Sequence, residues 1–359
     1  MYKLLIYILI VGTLSYGCSK ENSYKPKGTA LSELEQGWVV PLDQLVLSQL
    51  PADRIKSIDT PHFEIIDNEN LSLNDIAYVY RYCDTIKIYP QRILSGHEIV
   101  NDRIGNHHFA ITYCPLTGSA IAWEREINGI ISEFGVSGHL FNENLIPYDR
   151  NGHSFWSQMR LEGVRGENAK TKLKSNLLLQ TTGKSIKIAF PDAIVLVDSA
   201  GHNCNDSICG LKNGFDFGDP DDEDNFVLPS RSDYFGIVNT GVINGGDGAL
   251  LFNYDIFGDS ITLYNTSFRN SNIIVLGSTI LQFIVAFDNN TNIPSSNFYA
   301  VQNALPVVLA DNLGNRYDIT GEIISGPSKG NRLPSPDSYT AHSFAWELFF
   351  GNNIDIFEK

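Results

Sequence analysis

A chain of 359 residues, 43% hydrophobic and 19% charged, has enough apolar side chain to bury a large core, which excludes a disordered polymer and suggests one large or two ordinary domains. A net charge of -15 excludes nucleic acid as a partner, because phosphates require clustered Lys and Arg. It also disfavours electrostatic attachment to an anionic membrane surface.

Residues 1–17 read as a signal peptide. Lys3 supplies a positive start and Leu4 to Leu14 an apolar run, shorter than the roughly 20 residues of a membrane-spanning helix. Leu14-Ser15-Tyr16-Gly17-Cys18 is similar to a bacterial lipobox, although the aliphatic residue falls four before the Cys rather than three. The expectation is an exported protein, lipidated at Cys18 and anchored to a bacterial membrane, with the outer membrane favoured. Cleavage as an ordinary signal peptide is the alternative. Residues 18–37 are polar, contain Pro26 and Gly28, and read as a flexible tether.

From Trp38 to Phe63 the chain reads as an extended lead-in with one helical turn, interrupted by Pro41, Pro51 and Pro61. The segments Ile76–Tyr80, Thr85–Tyr89, His108–Tyr113 and Ala120–Trp123 are short and rich in β-branched and aromatic residues. Turn signals at Gly105-Asn106 and Asn128-Gly129 separate segments of this kind, and no long 3.6-residue periodicity appears. The expected class is mainly β and antiparallel, with α+β as the alternative, and residues 38–197 form a first β unit.

A second β unit at residues 234–359 repeats features of the first, which predicts an internal duplication. Asp149 and Asp311 each have a Gly three residues on (Gly152, Gly314), and Gly166 and Gly326 each precede a Leu by seven (Leu173, Leu333). Asn101 and Asn265 lie 164 apart, and at that offset Phe109-Ala110-Ile111 meets Ile273-Ile274-Val275. The polar residues His97, Glu98, Asp102 and Cys114 then fall opposite Ile261, Thr262, Thr266 and Ser278. A shared fold therefore does not require them. Between the units, residues 198–233 form a linker in which Cys204 and Cys209 are the natural disulfide pair of an oxidising compartment. Six of the nine residues from Asp216 to Asp224 are acidic and offer calcium ligands, although a solvated loop is the simpler reading.

Chemistry-bearing residues crowd between His97 and Gly166. Cys114 opens a Pro-Gly loop and is a candidate nucleophile, with His97 as its base and Asp102 to orient it. The alternative for Cys114 is a buried thiol, or half of a bridge to Cys83. His97, Cys114 and His139 form a dispersed candidate set for copper or zinc, with Met159 as a weak fourth ligand. Glu98, Tyr113, His139, Asn142, Asp149 and Trp156 are candidates for binding a small ligand, Trp156 and Trp123 also reading as core aromatics. His107 and His108 are expected in an exposed turn.

His97-Glu98-Ile99-Val100-Asn101-Asp102, Tyr113-Cys114-Pro115-Leu116-x-Gly118, Gly135-Val136-Ser137-Gly138 and Trp156-Ser157-Gln158 together resemble a bacterial family labelled domain of unknown function 3179. The resemblance extends to Ile55-Lys56-Ser57-Ile58-Asp59-x-Pro61, Gly326-Pro327-Ser328-Lys329-Gly330-Asn331-Arg332-Leu333 and Phe344-Ala345-Trp346, and it implies no established reaction. Members often carry a second Cys where this chain has Thr117, which counts against a local dithiol mechanism. Two functions follow as expectations: a binding lipoprotein for a small molecule or partner, which is favoured, and an extracytoplasmic Cys/His-centred enzyme or metal-dependent redox protein.

Overall fold

Sheets in the second half of the chain have strand orders similar to sheets in the first. The computed structural model describes residues 33–197, 233–240, 247–289 and 297–359. Strands take 48% and helices 12% of the structure, which decides for mainly β over α+β. In the leading unit Met1–Gln36 a single 3-10 turn, Glu33–Glu35, is described. The rest belongs to the unit Gly37–Lys359.

Within that unit one first-half sheet runs in the order Leu179–Thr182, Ile76–Tyr82, Thr85–Pro90, Ile194–Val197, with His62–Ile65 added at its edge. The second-half sheet runs Ser338–His342, Asp233–Asn239, Gly248–Asn253, Ile354–Ile356. In each, one parallel pair interrupts the antiparallel pattern. A three-stranded meander follows in both halves, Ile99–Ile104, His107–Cys114 and Ser119–Glu124 against Thr262–Phe268, Ser271–Ser278 and Phe283–Asp288. Their registers agree 164 positions on: Asn101 faces Ala110 as Asn265 faces Ile274, and Cys114 faces Ser119 as Ser278 faces Phe283.

Side chains alternate across a strand, so each meander offers two apolar faces. Val100, Phe109, Ile111 and Tyr113 pack on Tyr78, Tyr80 and Tyr89 of their own half. Ala110, Ile121 and Trp123 face Ala249, Leu251, Tyr339 and Trp346 of the other half. The reverse also holds, with Ile274, Leu276 and Phe287 packed on Val79, Ile88, Leu179 and Ile186. The two halves therefore share cores, and each contributes to the cover on the second face of the other's meander.

Three short helices escape the sequence periodicity because each has only two turns: α1 (Gln91–His97), α2 (Gly183–Ala189) and α3 (Ser343–Phe350). Pro90 starts α1 with its fixed φ, and Glu98 ends it in the left-handed region at φ +58. His97 thus closes a helix and does not lie in a strand. The expectation of an exposed turn at His107 and His108 is also corrected. Both are half-buried at the start of a strand, and His107 stacks on Tyr82 at 3.9 Å.

Candidate functional site

No hydrogen bond or ion pair joins the candidate catalytic residues His97, Asp102 and Cys114 to one another. At the end of α1, His97 hydrogen-bonds through Nδ1 to the Lys56 carbonyl at 2.7 Å. Asp102 is buried and receives Lys87 Nζ on both oxygens at 2.8 Å and the Tyr89 hydroxyl at 2.7 Å. That carboxylate is committed to an internal ion pair. Cys114 is 2% exposed, and burial pushes its thiol up, with the Glu98 carboxyl adding to the effect. A thiol so placed stays protonated and is a poor nucleophile.

The candidate metal ligands lie in separate surroundings. The His139 Nδ1 accepts the Ser48 N–H at 2.9 Å, and the ring is wedged between Trp38 and Phe155. Burial, with Arg165 nearby, lowers its pKa and keeps it neutral. Met159 is fully buried in the core, and no group of three His, Cys, Asp or Glu gathers among the described residues. His97, Cys114 and His139 are thus not gathered as a three-ligand set. Cys83 and Cys114 are both free, so they form no bridge. Cys18, Cys204, Cys209 and the acidic run from Asp216 to Asp224 lie outside the described residues.

Two of the expected ligand contacts belong to turn construction. Asp149 accepts the Trp156 indole N–H at 2.9 Å and the Gly152 N–H, as Asp311 accepts the Tyr317 hydroxyl at 2.7 Å and the Asn315 N–H at 2.9 Å. Asn142 donates to the Leu348 carbonyl at 2.8 Å and edges a cleft with Val39, Phe141 and Phe349. Of the charged residues there, Arg160 pairs with Asp247 and Glu162 with Lys172, and Lys170 also lines the cleft.

Glu98 and Tyr113 remain beside Cys114. Burial raises the Glu98 carboxyl to about 7. The Tyr113 hydroxyl accepts from Gln91 Nε2 at 2.9 Å. Below the loop, Thr112, Thr117, Ser119, Asn144 and Gln158 form a buried web, with Ser119 Oγ donating to Gln158 Oε1 at 2.7 Å. Such a web holds the loop in one shape.

The loop then docks on the other half. Thr117 presents its carbonyl to the His342 N–H at 2.8 Å. Gly118 has φ +63, and a Cβ on it would lie 2.7 Å from the His342 ring, so only glycine fits. His342 Nδ1 in turn meets Asp233 Oδ1 at 2.7 Å. Asp233 lines a cleft of about 350 Å3 with Gln180, Asn253, Tyr254, Asp255, Thr279 and Gln282. Gln180 comes from the first half and the others from the second. These residues were missed by a reading centred on the first half. The signal available was the repeat itself, in which His342 stands where the first half has Thr182.

A family model described as a protein of unknown function (DUF3179) matches residues 52–353. No curated protein and no solved structure matches.

Proposed function

The chain belongs to the DUF3179 family of proteins of unknown function, and from that premise we propose that it is a non-catalytic binding protein of the cell envelope that takes a small polar ligand into the cleft between its halves. The observation that carries this reading is the lining. Every side chain in it offers a hydrogen bond, two are carboxylates, and none of the described lining residues is Lys or Arg. A volume of about 350 Å3 lies within the roughly 300–1,000 Å3 range of small-molecule sites. Against the enzyme reading stands the dispersal of His97, Asp102, Cys114 and His139 through separate surroundings.

Export and lipidation at Cys18 complete the proposal and place the site outside the cytoplasm. Replacing Cys18 by Ala releases the protein from the membrane fraction while its melting is unchanged; unchanged partitioning refutes the anchor. Binding itself is tested by melting the protein with small neutral, cationic and anionic compounds. A true ligand at a hundred times its Kd adds about 2.7 kcal/mol of stability. That gain shrinks when Gln282 or Asn253 is replaced by Ala. Absence of any shift across the panel counts against the binding reading.

A further inference from the structure

We infer that Asp233, held in place by His342, receives the ammonium group of a small hydroxylated amine in the cleft between the halves. This deepens the binding reading and rests on it. The first argument is asymmetry between register-matched positions. In the first half the helix-bearing strand pairs Thr182 with Ile76, and Thr182 caps α2 by accepting the Ser185 N–H. In the second half the matching pair is His342 and Asp233, and His342 makes no side-chain cap to α3. The fold needs neither an acid nor an imidazole at this place, because the first half manages with a cap and an aliphatic residue. The imidazole is instead turned to Asp233.

His342 is also immobilised. Its N–H is held by the Thr117 carbonyl, its ring lies over Gly118, and its Nδ1 takes one Asp233 oxygen at 2.7 Å. Asp233 Oδ2 has no hydrogen-bond partner among the described residues. A carboxylate fixed through one oxygen and open at the other is preorganised to accept a charge-assisted hydrogen bond.

The rest of the lining selects the class of ligand. An anion would face Asp233 and Asp255 with no described Lys or Arg in the lining to offset them. An ammonium group brings three donors and a positive charge. Gln180, Asn253, Thr279 and Gln282 provide both donors and acceptors for hydroxyl groups, and Tyr254 adds a hydroxyl and an aromatic ring. With about 30 Å3 per water-sized group, the cleft holds about a dozen non-hydrogen atoms.

Glucosamine, glucose and glucuronate share one ring and differ in charge, so calorimetric titration of the full-length protein with each, near neutral pH in physiological salt, tests the inference. Glucosamine is expected to bind more tightly than glucose, and glucuronate least. Asp233→Asn weakens glucosamine by about tenfold or more, the loss expected for a charge-assisted bond. His342→Phe keeps a ring over Gly118 but removes the donor, and weakens binding by about tenfold. His342→Asn restores an N–H near Nδ1 and recovers most of the affinity, which a merely structural role does not predict. Melting curves confirm that each variant is folded, and Asp255→Asn provides a second carboxylate variant with the same expected direction. Glucosamine affinity indifferent to Asp233→Asn overturns the assignment. Preferred binding of glucose or glucuronate overturns the amine class and leaves the binding reading standing. No binding by any of the three overturns the inference and counts against that reading as well.

Discussion

The loops Cys114–Ser119 and Ser278–Phe283 occupy matching places in the two halves, and each docks on the opposite half through one carbonyl. Leu281 receives the Thr181 hydroxyl at 2.7 Å and the Ser185 hydroxyl at 3.1 Å; Thr117 receives the His342 N–H. Both loops turn through the left-handed region, at Gly118 (φ +63) and at Gln282 (φ +53). Docking therefore needs a carbonyl and a tight turn, and nothing more. What only the first loop has is a ring packed on its glycine, a buried thiol and a buried acid behind it. The same contrast runs beneath the loops, where Lys87 and Asp102 form an ion pair at positions whose counterparts are Leu250 and Thr266. The comparison separates architecture, which both halves share, from charged groups that one half has added.

The largest expected effect breaks that ion pair. Asp102→Ala leaves Lys87 and Tyr89 without their acceptor, and chemical denaturation is expected to show a loss of about 3–5 kcal/mol. Thr266→Ala, the matched change, stays within about 1 kcal/mol. Equal losses would erase the distinction.

Next is Glu98, whose counterpart is Thr262. Its carboxyl is raised from an ordinary 4.5 to about 7 by burial. The folded protein thus holds that proton more tightly than the unfolded chain does. The stability it contributes is full below about pH 4.5 and is lost as pH rises through about 7, a change on the order of 3 kcal/mol. Glu98→Gln flattens this segment of the stability–pH curve. A curve that keeps its slope in the variant refutes the burial of an acid here.

Gly118→Ala meets both the His342 ring and the backbone strain of a positive φ, and is expected to cost about 2–3 kcal/mol. Gln282→Gly, at the matched turn, changes stability by less than about 1 kcal/mol, since relief of strain and added unfolded-state entropy offset each other. Adding His342→Ala to Gly118→Ala recovers part of the loss. No recovery would place the cost in the backbone alone.

The smallest effect is a labelling pattern. Native protein should alkylate at the exposed Cys83 and resist iodoacetamide at the buried Cys114, which labels only after denaturation. Rapid native labelling of Cys114 would restore it as a reactive group and favour the enzyme reading.

Much of the architecture is legible in the chain because its signals are local. Strand alternation and turn residues such as Asn128-Gly129, which joins a two-stranded hairpin, mark the short strands. Trp123 and Trp156 were readable as core from their size and neighbours, and both are fully buried. The candidate site was not legible in the same way, because accessibility depends on what covers a strand's second face. Cys114 is buried in a core that strands distant in sequence assemble, with Glu143 and Leu145 of a neighbouring sheet beside it, and no local pattern encodes that cover. One left-handed residue, Glu98, ends a two-turn helix and separates His97 from the strand that carries Asp102. Asp233 and His342 are 109 positions apart in sequence, and His342 lies farther still from the loop it covers. The sequence by itself determined a mainly β chain, because strand and turn patterning are local; tertiary packing alone decided which polar groups are committed to the interior and which line a cleft, because desolvation and contact across the seam are properties of the assembled halves.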